Sequence, residues 1–209
     1  MIRCLDIHTH HAAPQPYGVI SVGAKDFVPI EDQWYSVGVH PWDTLKEPTP
    51  QEWLDFEKAI ERPEVVAIGE CGIDKIKGGL MFLQLKVFQR QIDLSEKLGK
   101  PMVIHDVMAH DIVEGLRRDL TLTQPWAVHG FRGKPTVAKM LTDAGIYLSF
   151  GENFNEEALR ITPPEFILAE TDESILTIEE IIGKLSQAAN RDMRPLIVSN
   201  TASIIKSSH

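Results

Sequence analysis

The sequence predicts an α/β fold, a (β/α)8 barrel, and three observations carry that expectation. Eight short apolar runs recur along the chain, mostly continuous rather than alternating, as suits strands buried on both faces of a parallel sheet. Helical patterns separate most of them, and eight βα units close into a barrel more naturally than they spread into an open sheet. Histidines and carboxylates recur at the C-terminal ends of the runs, the face on which barrels assemble their chemistry.

The elements follow in order. The first two strands lie near Arg3–Ile7 and Tyr17–Val22. Eleven residues separate Val22 from Trp34, so the second βα unit has little room for a covering helix before the third strand, Trp34–Val39. Thr49–Ile60 follows a Pro-bounded cap and reads as helix, and Val65–Gly69 is the fourth strand. Leu80–Leu98 carries Phe82, Leu85, Val87, Phe88, Ile92 and Leu94 near helical spacing, Gly78-Gly79 turns the chain before it, and Gly99 stops it ahead of Pro101. Strands at Met102–Ile104, Trp126–Val128, Ile146–Ser149 and Phe166–Ala169 alternate with helices at Asp111–Asp119, Lys134–Asp143 and Asn155–Leu159. Helices at Ile178–Ala189 and Ser199–Ile205 complete a single domain over residues 1–209.

Composition narrows the function classes. With 43% hydrophobic and 24% charged residues the 209-residue chain can bury an ordinary core, and no apolar run is long enough to span a bilayer. The start, MIRCLDIHTHH, lacks the apolar stretch of a signal peptide, and Cys4 and Cys71 are read as free thiols, which together point to the cytoplasm and away from membranes. Thirty acidic against 21 basic residues leave a net charge of −9 with no basic stripe. That disfavours tight passive binding of nucleic acid but not processing by an enzyme whose bound cations supply positive charge locally. No obligate protein partner is implied.

His8, His10, His40, His105 and His129 stand at or just beyond strand ends, with Glu70 and Asp172 at the same station on two others. In Asp6-Ile7-His8-Thr9-His10 two imidazoles at i and i+2 point to one side of an extended segment and can grip one ion. Any one of these residues can be a satisfied loop histidine, an ion-paired glutamate or, for Asp172, the cap of the helix at Ile178. Taken together, His8, His10, His105, His129, Glu70 and Asp172 suffice for one or two divalent cations with a carboxylate between them, and so many ionisable groups converging unpaired would be costly. Imidazoles lean toward zinc; carboxylates and a phosphate substrate lean toward magnesium or manganese.

The segments DIHTH, VGVHPW, AIGECGID, LQLKVFQRQ, KPMVIH, VHGFRG, AGIYLSFG and ETD resemble, in order and spacing over nearly the whole chain, the TatD-type metal-dependent deoxyribonucleases. The resemblance implies a TIM-like barrel of the metal-dependent hydrolase superfamily that cleaves phosphodiester bonds of DNA. It implies that His8 and His10 hold a first metal, that Glu70 bridges, that His105 and His129 hold a second, and that Asp172 closes the first site. The closing VSNTASIIK resembles the family's Asn-containing helix. Three departures accompany the shortened second unit: the Pro-, Arg- and Asn-containing loop after ETD is absent, no Arg stands two places after His105, and VGVHPW lacks the second His often found after His-Pro.

Weaker candidates surround this set. His40 either touches a scissile phosphate or makes a rigid turn packing Trp42; Asp74 either hydrogen-bonds a ligand residue or sits in a surface turn; Arg132 is either the remaining cationic contact for substrate or a solvated loop residue. Cys71, adjacent to Glu70, points the other way and packs, and His11, His110 and His209 are read as solvated. The chemistry these parts can run is attack by a water activated between two cations, with Glu70 and Asp172 as the catalytic carboxylates and Asp172 taking the proton. A metal-dependent deoxyribonuclease is the leading reading. The same apparatus acting on a small-molecule ester, amide or lactone, and a non-catalytic metal-binding scaffold, are the alternatives.

Overall fold

The computed structural model describes residues 4–12 and 18–205. The expected strand residues Arg3 and Tyr17, and His209, lie outside the described residues. Eight strands pair in sequence order, every neighbour parallel. They are β1 (Asp6–Thr9), β2 (Gly18–Gly23), β3 (Trp34–Gly38), β4 (Val65–Asp74), β5 (Met102–Val107), β6 (Trp126–Val128), β7 (Ile146–Phe150) and β8 (Ile167–Ala169). Just beyond β8 the chain bridges to β1: Asp172 N–H donates to the His8 carbonyl and His10 N–H to the Asp172 carbonyl, both at 3.0 Å. The sheet is thereby a nearly closed TIM-type barrel. The buried Asp6 carboxylate locks the same seam, accepting Thr171 N–H, Thr171 Oγ1–H and His8 N–H.

Among the described residues seven α-helices flank the strands: α1 (Pro50–Ile60), α2 (Met81–Leu98), α3 (His110–Asp119), α4 (Pro135–Asp143), α5 (Glu156–Ile161), α6 (Ile178–Ala189) and α7 (Arg194–Ile204). Between β2 and β3 the described residues form turns and no helix, as the short spacing requires. Local chemistry sets the boundaries. Thr49 with Glu52, and Thr177 with Glu180, form reciprocal capping boxes on α1 and α6, so Asp172 is not the cap of α6. Gly99 closes α2 in the left-handed conformation at φ 68°. Apolar side chains pack in two shells. Phe56, Phe88, Trp126 and Leu141 fill the space between strands and helices. Ile7, Val19, Ala67, Val103, Ala127 and Leu168 fill the barrel interior with Ile204 and Ile205 at the end of α7. No helix of the described residues is long and apolar enough to cross a membrane.

The clearest departures from expectation are in three elements, β4, β5 and α7. Strand β4 continues five residues past Gly69, and β5 three past Ile104, because β4 shifts register against β5 between Ile68 and Cys71 and pairing then resumes through Asp74↔Val107. Glu70 and His105 therefore lie within strands, not beyond them, and His8 likewise sits inside β1. Helix α7 begins at Arg194, five residues before Ser199, with Pro195 in its first turn, and Asn200 Nδ2–H donates to the carbonyls of Pro164 and Ile167 beside β8.

Gly72 makes the resumed pairing possible. Its φ of 137° disfavours any side chain, and a Cβ there would stand 2.2 Å from the His105 carbonyl oxygen. Gly72→Ala is expected to cost at least about 2 kcal/mol, lowering the melting midpoint by roughly 4–8 °C in a thermal denaturation scan. An unchanged midpoint would show that β4 and β5 do not need this close approach.

Candidate metal centre

Strand β4 delivers Glu70 to the C-terminal mouth of the barrel, only 8% exposed, and its two carboxylate oxygens face different partners. Oε2 lies 3.5 Å from His8 Nε2 and 3.3 Å from His10 Nε2, both brought by β1 and the residue after it. Asp172, fixed by the barrel-closing bridge, places Oδ1 3.7 Å from each of those same nitrogens. Oε1 lies 2.5 Å from His105 Nδ1, 2.7 Å from His129 Nε2 and 3.0 Å from His40 Nε2. His8, His10, Glu70, His105, His129 and Asp172 thus converge, with His8–His10–Asp172 and His8–Glu70–His129 each able to surround a single ion.

The donors are prepared for a cation. His8 is fully buried, and neither ring nitrogen has a hydrogen-bond partner among the described residues. Two orphaned nitrogens in so dry a position are costly unless a ligand meets at least one. Burial, reinforced by the positive charge of His129, pushes His8 well below the usual imidazole range and keeps it in the neutral, coordinating form. Burial opposes charge on His129 too, but the Glu70 and Glu170 carboxylates outweigh it and raise the ring well above that range. His10 is raised chiefly by its hydrogen bond to Glu70. Burial alone would raise Glu70, yet the surrounding imidazoles hold its carboxyl far below the carboxylate range. Once protons on His10 and His129 are displaced, four neutral imidazoles around one ionised carboxylate form a donor set suited to one or two divalent ions.

The supporting residues differ in part from expectation. Asp74 is only 2% exposed and takes the first of its two readings, a contact with a candidate ligand residue. Its Oδ2 accepts from Trp42 Nε1–H at 2.6 Å and lies 3.2 Å from His105 Nε2, while Oδ1 accepts Ile76 N–H and Lys77 N–H. The Trp42 bond and those backbone donors hold its carboxyl down at about 2 against the opposing effect of burial. With Nε2–H directed at Asp74, His105 presents Nδ1 to the centre. His40 makes the turn with Trp42: its Nδ1 accepts Trp42 N–H, which leaves the proton on Nε2, aimed at Glu70. Arg132 is exposed in an adjoining cleft of about 230 Å³ shared with Asp172. His11 and His110 are half-buried, not solvated: His11 Nε2 lies 2.9 Å from the Ser174 carbonyl, and His110 pairs with Asp106 at 2.7 Å. Cys71 packs in the core, and burial pushes its thiol up.

Sequence reasoning missed Glu170 and Trp42. Glu170 ends the apolar run of β8 and reads as part of it, yet it is fully buried, accepts Gly130 N–H and lies 3.7 Å from His129 Nδ1. Trp42, taken as packing, lines the cleft of about 490 Å³ that also contains His10, His40, Glu70, His105, His129 and Asp172.

A family model described as TatD related DNase matches residues 25–204. The chain is 31% identical over 173 residues to a protein of Escherichia coli (strain K12) named 3'-5' ssDNA/RNA exonuclease TatD, covering 75% of this chain and 64% of that protein. It is 31% identical over 158 residues to an uncharacterized metal-dependent hydrolase TatD of Mycobacterium tuberculosis, covering 68% and 58%. The chain therefore spans only about three fifths of the length of these curated relatives. Among solved structures, the TatD homolog YJJV from Escherichia coli K12 superposes with a TM-score of 0.80 at 19% identity, covering 98% of each chain. A TatD family hydrolase from Entamoeba histolytica superposes at 0.77 with 16% identity, covering 99% of each. These two likenesses concern the fold.

Because His10 and His129 hold protons in the metal-free site above the ordinary imidazole range, a cation taken up here displaces protons, and affinity rises with pH until both rings are neutral. Uptake of Zn²⁺ or Mn²⁺ in equilibrium dialysis is expected to weaken already as pH falls from 8 to 6.5, with proton release measurable in weakly buffered solution. Equal uptake at pH 8 and 5.5 would contradict this account of the cluster.

Proposed function

The chain belongs to the TatD related DNase family, and from that premise we propose that it is a metal-dependent hydrolase of nucleic-acid phosphodiester bonds, acting as one domain over residues 1–209 in the cytoplasm. The observation that carries this reading is the division of Glu70, one oxygen toward His8 and His10 and the other toward His105 and His129. In our reading these five residues with Asp172 hold one or two divalent cations. Zinc suits the imidazoles, and magnesium or manganese the carboxylates and phosphate. Bound there, such cations supply Lewis acidity and lower the pKa of a water.

The protein's own groups supply the rest. Asp172, whose side chain is 27% exposed at the cleft, orients the attacking water and takes its proton. His40, with its proton fixed on Nε2 by the Trp42 N–H, offers a donor to a non-bridging phosphate oxygen. Asp74 holds His105 in the orientation that keeps Nδ1 toward the centre. Arg132 is the outlying cationic contact. DNA is the substrate class, and no protein partner is required. Lacking a basic surface, the protein favours single-stranded ends or short oligonucleotides over internal duplex sites.

The test compares linear single-stranded, linear duplex and closed circular DNA with simple phosphodiesters, amides and lactones, with Mg²⁺, Mn²⁺ and Zn²⁺ each supplied. Cleavage from single-stranded ends is expected, weakening as salt rises. Turnover of an amide or lactone with inactivity on every phosphodiester would transfer the assignment to a small-molecule hydrolase, and metal uptake with no turnover at all would leave a scaffold. Replacing Glu70 or His129 with Ala is expected to lower metal content, whereas Asp172→Asn should cut turnover by about 10²-fold or more with a smaller loss of metal. Near wild-type rates in Asp172→Asn would remove its part in proton transfer.

A further inference from the structure

The mouth of the cleft is acidic. Asp26, Asp43, Asp172 and Glu173 line it beside Glu70, and the chain as a whole carries −9. Long-range electrostatics therefore oppose a phosphate chain, and affinity for a nucleotide must come from short-range contacts, stacking foremost. One side chain on the cleft wall is built for such a contact. Trp42 is 45% exposed, far from the burial usual for so large an apolar group. It is nevertheless pinned: its Nε1–H is held by Asp74, its backbone N–H by His40, and its ring stands edge-to-face with His40 at 4.7 Å between centroids. The indole centroid lies 5.9 Å from that of His105, next to Glu70. A rigid, half-open aromatic face beside the reacting centre loses little freedom on binding. Lys77 holds its ammonium 4.5 Å from the centroid of this ring, and among the described residues it has no carboxylate partner, unlike neighbouring Lys75, which pairs with Asp111.

We propose that Trp42 is a stacking platform for the nucleobase of the terminal nucleotide being released, with Lys77 moving off the ring to contact the phosphodiester of that nucleotide. The inference rests on the nuclease reading and deepens it: the substrate is held by its end base, so a strand end that can unstack is taken and an internal, paired base is not. Asp74 links the two tasks, since one carboxylate fixes both His105 and the indole.

The experiment uses pairs of single-stranded oligonucleotides identical except that the 3′-terminal residue carries thymine or is abasic. Binding to the metal-loaded protein is measured with a phosphorothioate at the last linkage, to slow cleavage, and turnover is measured on the unmodified pair. The base-bearing end is expected to bind about 10-fold more tightly than the abasic one. Trp42→Ala should shrink that ratio to about one, acting on KM more than kcat, while Trp42→Phe keeps most of it because the ring face survives. Lys77→Ala should weaken both ends alike. Metal content is measured for every variant. Equal affinity of the wild-type protein for the two ends overturns the proposal, as does an undiminished ratio in Trp42→Ala. If Trp42→Phe loses discrimination as fully as Trp42→Ala, the indole acts through Asp74 and stacking is overturned. Discrimination in binding without cleavage of either end would remove the nuclease reading and keep the platform.

Discussion

The constraint on which this structure turns is a buried carboxylate that must be met from two sides. Glu70 is almost fully removed from solvent, and an ionised group so placed is tolerated only where donors or cations surround it. Three features of the barrel deliver them. The register shift in β4 carries that strand past Glu70 to Asp74, and Gly72 lets β5 approach closely enough for His105 to reach it. The Asp172 bridge, which closes the barrel, also sets His8 and His10 over the other oxygen. Barrel closure and site assembly are thus one set of backbone hydrogen bonds.

The same carboxylate explains why chemically identical rings differ. His8 and His129 are both deeply buried, but His8 has two orphaned nitrogens and positive neighbours, while His129 lies between Glu70 and Glu170. The first is held neutral and the second protonated when no cation is present. A cation entering between them replaces proton charge with metal charge, so the site's ionisation already has the form that metal binding completes.

Much of the barrel was legible because buried parallel strands are written as uninterrupted apolar runs. Val65–Ile68, Met102–Ile104 and Trp126–Val128 announce themselves, and the short gap before Trp34 announces the missing helix. What hid was where local signals and tertiary pairing disagree. Gly69-Glu70 and Gly72 read as the end of a strand, and only β5 alongside keeps β4 extended there. Helix α7 hid its start behind Asp192 and Pro195, which read as loop residues. The six clustered side chains were legible as a set because all share one end of successive strands. Their partners were not: Glu170 looks like the last residue of an apolar run, and Trp42 looks like core until its exposure is known.

On the proposed nuclease reading, an acidic protein must meet an anionic substrate by dividing its forces by range. At long range the net charge of −9 and the carboxylates around the cleft repel, and no run of lysines or arginines offsets them. At short range the balance can reverse, since cations held by the central cluster act within a few ångströms and aromatic stacking has no long-range cost. A second cleft beside the turns after β2 shares Gly23, Asp26, Gly38 and Asp43 with the central cleft, so two carboxylates stand where the two clefts meet. On that reading, recognition falls to the few groups that would touch the reacting end.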